Sequence, residues 1–368
     1  METKSYKTIT LSRLGMGNMR LPTEGDAPGA PIDYARASEM IDKLMKSGVN
    51  YYDTAYVYHS GESEKFLGDT MKKYPRDSYC LATKYFIQAD PDYKKVFEEQ
   101  LARLQTDHID FYLIHGIFDT TYQQYIDSGC IEYFAEQKRL GKIRYLGFSS
   151  HAKPEHLATF ADYRDWDFAQ IQLNYFDWFY GTAKAEYEEL QKRNIPIMVM
   201  EPVRGGRLAS LTPETEARLK AAHPDWSIAS WALRWVRTLP QVQVILSGMS
   251  TLSQVEDNLA TFSDLTPLSD ADKQLLETVC EQFHTQVRVP CTACRYCCDG
   301  CPVKINIPEF LKVYNRYKVD GPRGIKEAIA AVQSEGTPAD CIACGSCTGH
   351  CPQSIDVPAV MAEVAGLV

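Results

Sequence analysis

Eight cysteines near the C-terminus repeat one spacing twice. The motifs "CTACRYCCDGCP" and "CIACGSCTGHCP" each follow C-x2-C-x2-C-x3-C-P and begin fifty positions apart. Thiolates at this spacing bind pairs of [4Fe-4S] clusters in bacterial-type proteins, where the fourth cysteine of each motif binds the other motif's cluster. The sequence therefore predicts two [4Fe-4S] clusters, with the ligand sets Cys291, Cys294, Cys297 and Cys351 for one, and Cys341, Cys344, Cys347 and Cys301 for the other.

Two other uses of cysteine explain these motifs less well. Structural zinc also takes C-x2-C pairs, but it has no need of a third cysteine at the same spacing followed by C-P. A disulfide framework belongs to secreted chains, and the N-terminus, "METKSYKTITLSRLGMGNMR", has no apolar signal segment. We expect Cys298, Cys80, Cys130 and Cys280 to be local or buried thiols, because all four lie outside the spacing.

The charge balance limits the classes of partner. The chain has 39 Lys and Arg residues against 48 Asp and Glu residues, a formal net charge of −9, and no long basic block. A nucleic-acid partner is therefore not expected. No apolar stretch approaches the roughly eighteen residues of a membrane span, so we expect a cytoplasmic protein without a membrane partner.

The repeat extends past the cysteines into predicted helices. "CPVKINIPEFLKVY" and "CPQSIDVPAVMAEV" share C-P-x-x-I-x-[IV]-P and then an apolar pattern of helical period, and Pro308 and Pro358 suit the first turn of a helix. The segment "GIKEAIAAVQ" between the two motifs is also helical in pattern. Residues 285–368 therefore resemble an α-helical dicluster ferredoxin. We expect them to form a smaller C-terminal ferredoxin-like domain, with a redox protein as a candidate partner.

Residues 1–284 alternate strand and helix patterns. Apolar runs such as "YCLATKY", "IDFYLIHG" and "VQVILSGMS" are typical of strands, and amphipathic segments such as "KKVFEEQLARLQ" lie between them. With "LSRLGMGNM" as the first strand, eight βα units result, and eight units in about 260 residues match a TIM barrel. The predicted fold class is α/β, a (β/α)8 TIM barrel followed by the smaller helical domain.

Three ionisable residues end consecutive predicted strands. Asp53, Lys84 and His115 lie 31 positions apart, about the length of one βα unit, and Tyr58 follows Asp53 by five positions. The C-terminal ends of barrel strands meet on one rim, where barrel active sites form, so the four side chains are expected to lie together. One such residue alone would more often be a solvated strand end, but three in register predict a catalytic site.

The segments that carry these residues resemble the aldo/keto reductases. "DTAYVYHSGESEKFLG", "LATKY" and "IDFYLIHG" match the family's Asp-Tyr-Lys-His tetrad, and the resemblance spans residues 8–262. It implies NAD(P)H-dependent reduction of a small-molecule carbonyl substrate, or the reverse oxidation of an alcohol. Tyr58 would donate the proton, and Lys84 would lower the Tyr58 pKa. Asp53 would orient Lys84, and His115 would polarise the substrate oxygen.

The same resemblance implies a nicotinamide dinucleotide, NADP or NAD, on the barrel rim. The residues that it assigns to the cofactor are Gly17, Asn18, Met19, Ser149, Ser150, Gln170, Met200, Pro202, Gly206, Leu208, Gly248, Ser250, Gln254 and Asn258. Ser149, Ser150 and Gln170 would face the carboxamide. Ser150, Met200 and His59 replace the family's usual Asn, aromatic residue and Gly. Since the family's C-terminal tail lines the substrate pocket, the ferredoxin-like domain is expected to cover the same rim.

The sequence leaves three functions open. Hydride carries two electrons together and a [4Fe-4S] cluster passes one at a time, so in a hydride-transferring reductase the clusters serve structure or a separate electron-transfer step. Alternatively, the clusters pass single electrons to a substrate or a flavin in the barrel. The third function is a nicotinamide-binding redox sensor without catalysis, and the complete tetrad argues against it.

We expect anaerobically purified protein to contain about eight irons and eight inorganic sulfides per chain, because both ligand sets are complete. Replacing Cys294 or Cys344 with serine should remove one cluster each, and iron analysis with the visible absorption band measures the loss. A colourless, zinc-loaded protein from an anaerobic preparation would contradict the cluster assignment.

Overall fold

The first unit of the chain is a closed barrel of parallel strands. The computed structural model describes residues 1–25 and 29–368. The strands of these residues are β1 (Thr3–Tyr6), β2 (Ile9–Ser12), β3 (Leu14–Gly17), β4 (Tyr51–Asp53), β5 (Cys80–Tyr85), β6 (Ile109–Ile117), β7 (Ile143–Ser150), β8 (Phe168–Gln172), β9 (Ile197–Met200) and β10 (Val242–Ser247). The barrel order is β10-β3-β4-β5-β6-β7-β8-β9. The predicted (β/α)8 fold class is confirmed.

The segments between the strands are helical because their apolar residues recur at helical spacing. In the first helix Ala37, Met40, Ile41 and Leu44 are all buried, and the Asp33 side chain accepts a hydrogen bond from the backbone at its start. The helices up to the second unit are α1 (Tyr34–Lys46), α2 (Glu62–Met71), α3 (Tyr93–Leu104), α4 (Tyr122–Asp127), α5 (Cys130–Arg139), α6 (Pro154–Ala161), α7 (Tyr175–Tyr180), α8 (Ala183–Lys192), α9 (Pro213–Ala222), α10 (Ile228–Arg237), α11 (Leu252–Ser263) and α12 (Asp270–Gln286).

A two-stranded hairpin closes the N-terminal end of the barrel. Strands β1 and β2 pair antiparallel, and the Tyr6 ring packs 5.5 Å from Phe111 and 5.0 Å from Tyr145, ring centroid to centroid. The prediction of a single first strand over "LSRLGMGNM" was wrong at its start. The chain leaves the hairpin at Ser12 and enters the barrel at Leu14, because residues 9–12 pair with β1 rather than with a barrel strand.

The second unit is a small helical domain with its own core, called the C-terminal module below. Its helices are α13 (Tyr296–Asp299), α14 (Ile307–Asp320), α15 (Ile325–Ala330), α16 (Ser346–Gly349) and α17 (Val357–Ala365). The core is formed by cysteines of both motifs and by apolar residues, among them Ile305, Phe310, Leu311, Met361 and Val364. In the described part of the chain, no helix combines the length and apolar character needed to cross a membrane.

The two cysteine motifs share one backbone conformation. Each places residues with positive φ at matching positions, and the pairs are Ala293 with Ala343, Arg295 with Gly345, and Lys304 with Ser354. Each motif then leads through a proline in its first turn into a longer helix, α14 or α17. The sequence repeat is therefore also a structural repeat.

The C-terminal module packs over the C-terminal end of the barrel, as the sequence predicts. The Arg204 guanidinium, from the loop after β9, pairs with Asp177 at 2.9 Å and donates to the Pro290 carbonyl at 3.0 Å. Arg20, after β3, donates to the Ala293 carbonyl at 3.1 Å. At Gly205 an added Cβ would lie 1.8 Å from the Thr292 carbonyl oxygen, so the two units touch backbone to backbone.

We therefore predict that Gly205→Ala displaces the C-terminal module from the barrel. Gly205 and Gly206 both have positive φ, but an added Cβ at Gly206 meets no atom within 4 Å. Gly206→Ala is thus a matched control that carries only the backbone strain, about 1–3 kcal/mol. Amide hydrogen exchange around residues 290–296 should rise more in Gly205→Ala than in the control. Equal exchange in both variants would contradict the close contact.

Candidate active site beneath the C-terminal module

The structure brings the four predicted tetrad residues together at the C-terminal rim. Strands β4, β5 and β6 are neighbours in the barrel and carry Asp53, Lys84 and His115. The Lys84 ammonium lies 2.6 Å from Asp53 Oδ1, 2.6 Å from the Thr54 carbonyl and 3.4 Å from the Tyr58 hydroxyl. The Tyr58 and His115 rings meet edge to face at 5.8 Å. All four tetrad side chains are buried.

A strained turn holds Tyr58 over the end of the barrel. The residues that follow it, His59 and Ser60, have φ of 50° and 57°, and Gly61 has φ of 90° before α2 begins. Left-handed conformations of non-glycine residues cost on the order of 1–3 kcal/mol each and persist where the surroundings fix them. Here the Ser63 hydroxyl fixes the turn, because it lies 2.8 Å from the Thr54 hydroxyl.

Burial controls the protonation of the tetrad. It lowers the pKa of Lys84 and raises that of Asp53, and their contact opposes both shifts. It also raises the Tyr58 pKa, and the Asp53 carboxylate adds to the rise. The expectation that Lys84 lowers the Tyr58 pKa stays a prediction, because the one opposing cause at Tyr58 is hydrogen bonding from Tyr296. Tyr58 stays a protonated phenol.

The His115 imidazole is neutral. Burial holds its pKa well below the usual range, and the Lys84 ammonium and His151 lower it further. Its Nδ1 atom is buried without a hydrogen-bond partner among the described residues. A neutral imidazole with a free nitrogen offers a hydrogen bond to a further polar group in the site.

A cavity of about 350 Å³ lies directly in front of Tyr58 and His115. Its barrel wall includes the rings of Phe86 and Phe118 and the imidazole of His151. We call it the substrate cavity. Burial lowers the His151 pKa to about 4, so this ring is also neutral. His151 is not among the site residues predicted from the sequence, because a histidine after a strand has no distinguishing pattern.

The C-terminal module supplies the opposite wall of the substrate cavity. Cys294, Arg295 and Tyr296 line it together with Tyr58 and His115 of the tetrad. The Tyr296 hydroxyl lies near enough to Tyr58 to lower the Tyr58 pKa as a hydrogen-bond donor, and burial raises the pKa of Tyr296. Neither Arg295 nor Tyr296 is among the site residues predicted from the sequence. The available signal was the difference between the repeats, since the second motif has Gly345 and Ser346 at these positions.

A second cavity, of about 300 Å³, adjoins the first and also borders Tyr58 and Tyr296. We call it the cofactor cavity. Ten of the fourteen predicted cofactor residues line it, namely Gly17, Met19, Gln170, Met200, Pro202, Gly206, Gly248, Ser250, Gln254 and Asn258.

Four predicted cofactor residues do not line the cofactor cavity. Asn18 is buried and its amide donates to the Asp53 carbonyl at 2.8 Å. The hydroxyls of Ser149 and Ser150 accept bonds from the Gly116 and Ala152 backbone N–H groups. The Leu208 side chain is fully buried in the barrel core. These side chains make contacts that hold neighbouring elements in place. A resemblance to a family does not distinguish such contacts from contacts with a ligand.

Two features of the cofactor cavity suit the carboxamide and the pyrophosphate of a nicotinamide dinucleotide. The Gln170 side-chain oxygen is buried without a partner among the described residues, which suits a carboxamide donor. Gly206 leaves open space where other residues carry a Cβ, so a pyrophosphate could approach the loop after β9. Glu201 also borders this cavity, and burial raises its pKa to about 7.

The cysteine positions agree with the predicted exchange of ligands between the two motifs. Cys291, Cys294 and Cys297 line one small cavity together with Cys351 from the second motif. Of the other predicted set, Cys341 and Cys347 lie close enough to interact electrostatically, and Cys344 is exposed. Within residues 1–25 and 29–368, no three His, Cys, Asp or Glu side chains converge on one point as a single metal ion requires.

We predict that Lys84→Met lowers the free energy of unfolding by about 3–5 kcal/mol, because Asp53 is left buried without its cation. The double variant Asp53→Asn/Lys84→Met should lose less, since no uncompensated charge remains. Urea unfolding under anaerobic conditions measures both. Additive losses in the double variant would contradict a coupled ion pair.

Comparison with known proteins places the chain in a family. A sequence model of the "Aldo/keto reductase family" matches residues 13–281, and one described as "4Fe-4S dicluster domain" matches residues 290–355. An uncharacterized oxidoreductase of Bacillus subtilis (strain 168) is 27% identical over 68% of this chain and 87% of its own length. An NADH-specific methylglyoxal reductase of Escherichia coli (strain K12) is 26% identical over 74% of this chain and 96% of its own length.

A solved structure shares the fold. The holo form of an aldo-keto reductase from Bacillus halodurans superimposes with a TM-score of 0.60 at 28% identity, covering 76% of this chain and 96% of that one. The family match covers most of the barrel and the dicluster match most of the C-terminal module. The chain is therefore an oxidoreductase that belongs to the aldo/keto reductase family and carries a ferredoxin-type 4Fe-4S domain.

Proposed function

We propose that the protein reduces a small carbonyl compound with a nicotinamide cofactor, or runs the reverse oxidation of an alcohol. One observation carries the proposal. The Tyr58 hydroxyl lies 3.4 Å from the Lys84 ammonium, and Tyr58 and His115 both face the substrate cavity. A protonated phenol and a neutral imidazole that face one small cavity, with a buried cation beside the phenol, are the groups that a carbonyl oxygen needs as it gains negative charge.

Tyr58 is the proposed proton donor. Its phenol is protonated before reaction and gives its proton to the carbonyl oxygen, and the phenolate that results lies beside Lys84. Lys84 stabilises that phenolate, and Asp53 holds the ammonium in place. His115 positions the carbonyl oxygen through its neutral ring. The nicotinamide, when bound, supplies the hydride.

The proposed cofactor residues are those that line the cofactor cavity, with Gln170 toward the carboxamide and Gly206 beside the pyrophosphate. We propose NADH as the preferred form. Among the described residues of this cavity, the only Lys or Arg is Arg20, and its guanidinium donates to the Ala293 carbonyl. Asp257 borders the cavity beside Asn258 and would repel a 2′-phosphate. The similar E. coli protein is named as NADH-specific.

Two [4Fe-4S] clusters are proposed for the C-terminal module. Cys291, Cys294, Cys297 and Cys351 would hold an inner cluster, and Cys341, Cys344, Cys347 and Cys301 an outer one. The cavity that the first set lines supports this division. When bound, the clusters supply single-electron transfer or hold the module's fold.

A second candidate function is a ferredoxin-linked reductase. It is favoured by Cys294, which lines both the cysteine cavity and the substrate cavity, so the inner cluster would border the substrate. Cys344, at the outer set, is exposed and could face a redox protein partner. In this function the substrate carbon takes its hydrogen from solvent rather than from a nicotinamide.

Tyr58→Phe should lower kcat/KM for carbonyl reduction roughly 100- to 10,000-fold, because it removes only the proton donor. NADH should still bind, and more tightly than NADPH, as fluorescence titration measures. Tyr56→Phe is a matched control, since its hydroxyl donates to Glu99 and lines neither cavity. An unchanged rate in Tyr58→Phe would exclude Tyr58 as the acid and favour the single-electron route.

A further inference from the structure

Among the described side chains that line the substrate cavity, guanidinium groups outnumber carboxylates. Two guanidinium groups line it, Arg20 from the barrel and Arg295 from the C-terminal module. The one carboxylate among its described lining residues, Asp299, is exposed at the edge. The rest of the wall near the tetrad is aromatic, with Phe86 and Phe118. Two guanidinium groups in so small a cavity can attract an anionic group, beside the negative charge that the proposed inner cluster would add at Cys294.

The Arg295 guanidinium is free to bind such a group. Among the described residues, no hydrogen bond or ion pair engages its side chain, and its attraction to Asp299 is electrostatic only. Arg20 differs, because its guanidinium donates to the Ala293 carbonyl and its alkyl chain lies near Gly248. A half-buried guanidinium without a partner gains most from a planar anion that accepts two parallel hydrogen bonds.

The repeat shows that the cysteine motif itself does not require arginine here. Arg295 has φ of 71°, and the matching residue of the second motif is Gly345 with φ of 76°. Glycine adopts this conformation without steric cost and arginine does not. The first motif thus carries a strained residue at a position where the second uses the unstrained one. The arginine occurs in the motif that lies at the substrate cavity, since Arg295 borders this cavity and Gly345 does not.

We infer that Arg295 binds a carboxylate of the substrate, so that the favoured substrates are small carbonyl compounds that carry a carboxylate group. This inference rests on the proposed carbonyl reduction. The tetrad would hold the carbonyl end of the molecule and the C-terminal module would hold its acid end. The barrel then provides the residues that reduce the carbonyl group, and the C-terminal module provides the selectivity for a substrate with a carboxylate. A cavity of about 350 Å³ is at the small end of ligand pockets, which suits a compact acid.

A binding experiment tests Arg295 without catalysis. Benzoate and its neutral isostere benzamide are titrated calorimetrically into the protein with both clusters and NAD+ present. We expect benzoate to bind more tightly, and Arg295→Gln to shrink the benzoate-to-benzamide preference roughly 10- to 100-fold. Arg295→Lys should keep part of the preference, because it keeps the charge and loses the planar fork. Arg323→Gln, which alters an exposed arginine of the same module, is the matched control.

Kinetics provide the second readout. The acid-to-ester ratio of kcat/KM for 4-formylbenzoate and its methyl ester should fall by a similar factor in Arg295→Gln and stay unchanged in Arg323→Gln. If neither compound is reduced, the proposed function fails while the benzoate titration still decides the role of Arg295. Arg295 also borders the cysteine cavity. A shift in the cluster midpoint potential of Arg295→Gln with an unchanged benzoate preference would overturn the inference.

Discussion

The buried ion pair between Lys84 and Asp53 is the interaction on which the site depends. Removing either charge from water costs several kcal/mol, and each is tolerable only because the other lies 2.6 Å away. Strand pairing sets that distance, since β4 and β5 are adjacent in the barrel with Asp53 opposite Ala82. The barrel strands thus fix the ammonium, and the strained turn after β4 brings the Tyr58 hydroxyl to 3.4 Å from it. Barrel closure and this turn together therefore place the proposed acid beside the cation.

The C-terminal module makes these charges effective by excluding water. It covers the rim through Arg204, Arg20 and the contact at Gly205, and it supplies Tyr296 beside Tyr58. Electrostatic stabilisation is stronger in such a dry site. Small domains that bind metals commonly depend on them for folding. The reductase would then depend on its clusters even if no electron from them reached the substrate, which reconciles one-electron centres with a two-electron reaction.

The sequence predicted those features that follow from a repeated spacing. The 31-residue interval of Asp53, Lys84 and His115 predicted that the three residues lie together on the barrel rim, because one βα unit has that length. The cysteine spacing predicted that Cys291 and Cys351 lie at the same site, and both residues line one cavity. The sequence did not predict Tyr296 or Arg295, since their role depends on how the C-terminal module docks and no local pattern encodes docking. The assignment of Ser149 to the cofactor stays a prediction, because sequence position does not reveal which partners a hydroxyl takes besides the Gly116 backbone N–H.

We propose that reduction occurs by hydride transfer from a nicotinamide in the cofactor cavity, with Tyr58 as the acid. The fate of deuterium tests it most directly. The protein with both clusters is given NADH deuterated at C4, on each face in turn, and a reducible carbonyl substrate in ordinary water, and the alcohol product is examined by mass spectrometry and NMR. The account predicts deuterium on the carbinol carbon from one face of the nicotinamide. Hydrogen from solvent at that carbon, with NADH oxidised, would contradict it and assign the reduction to the clusters.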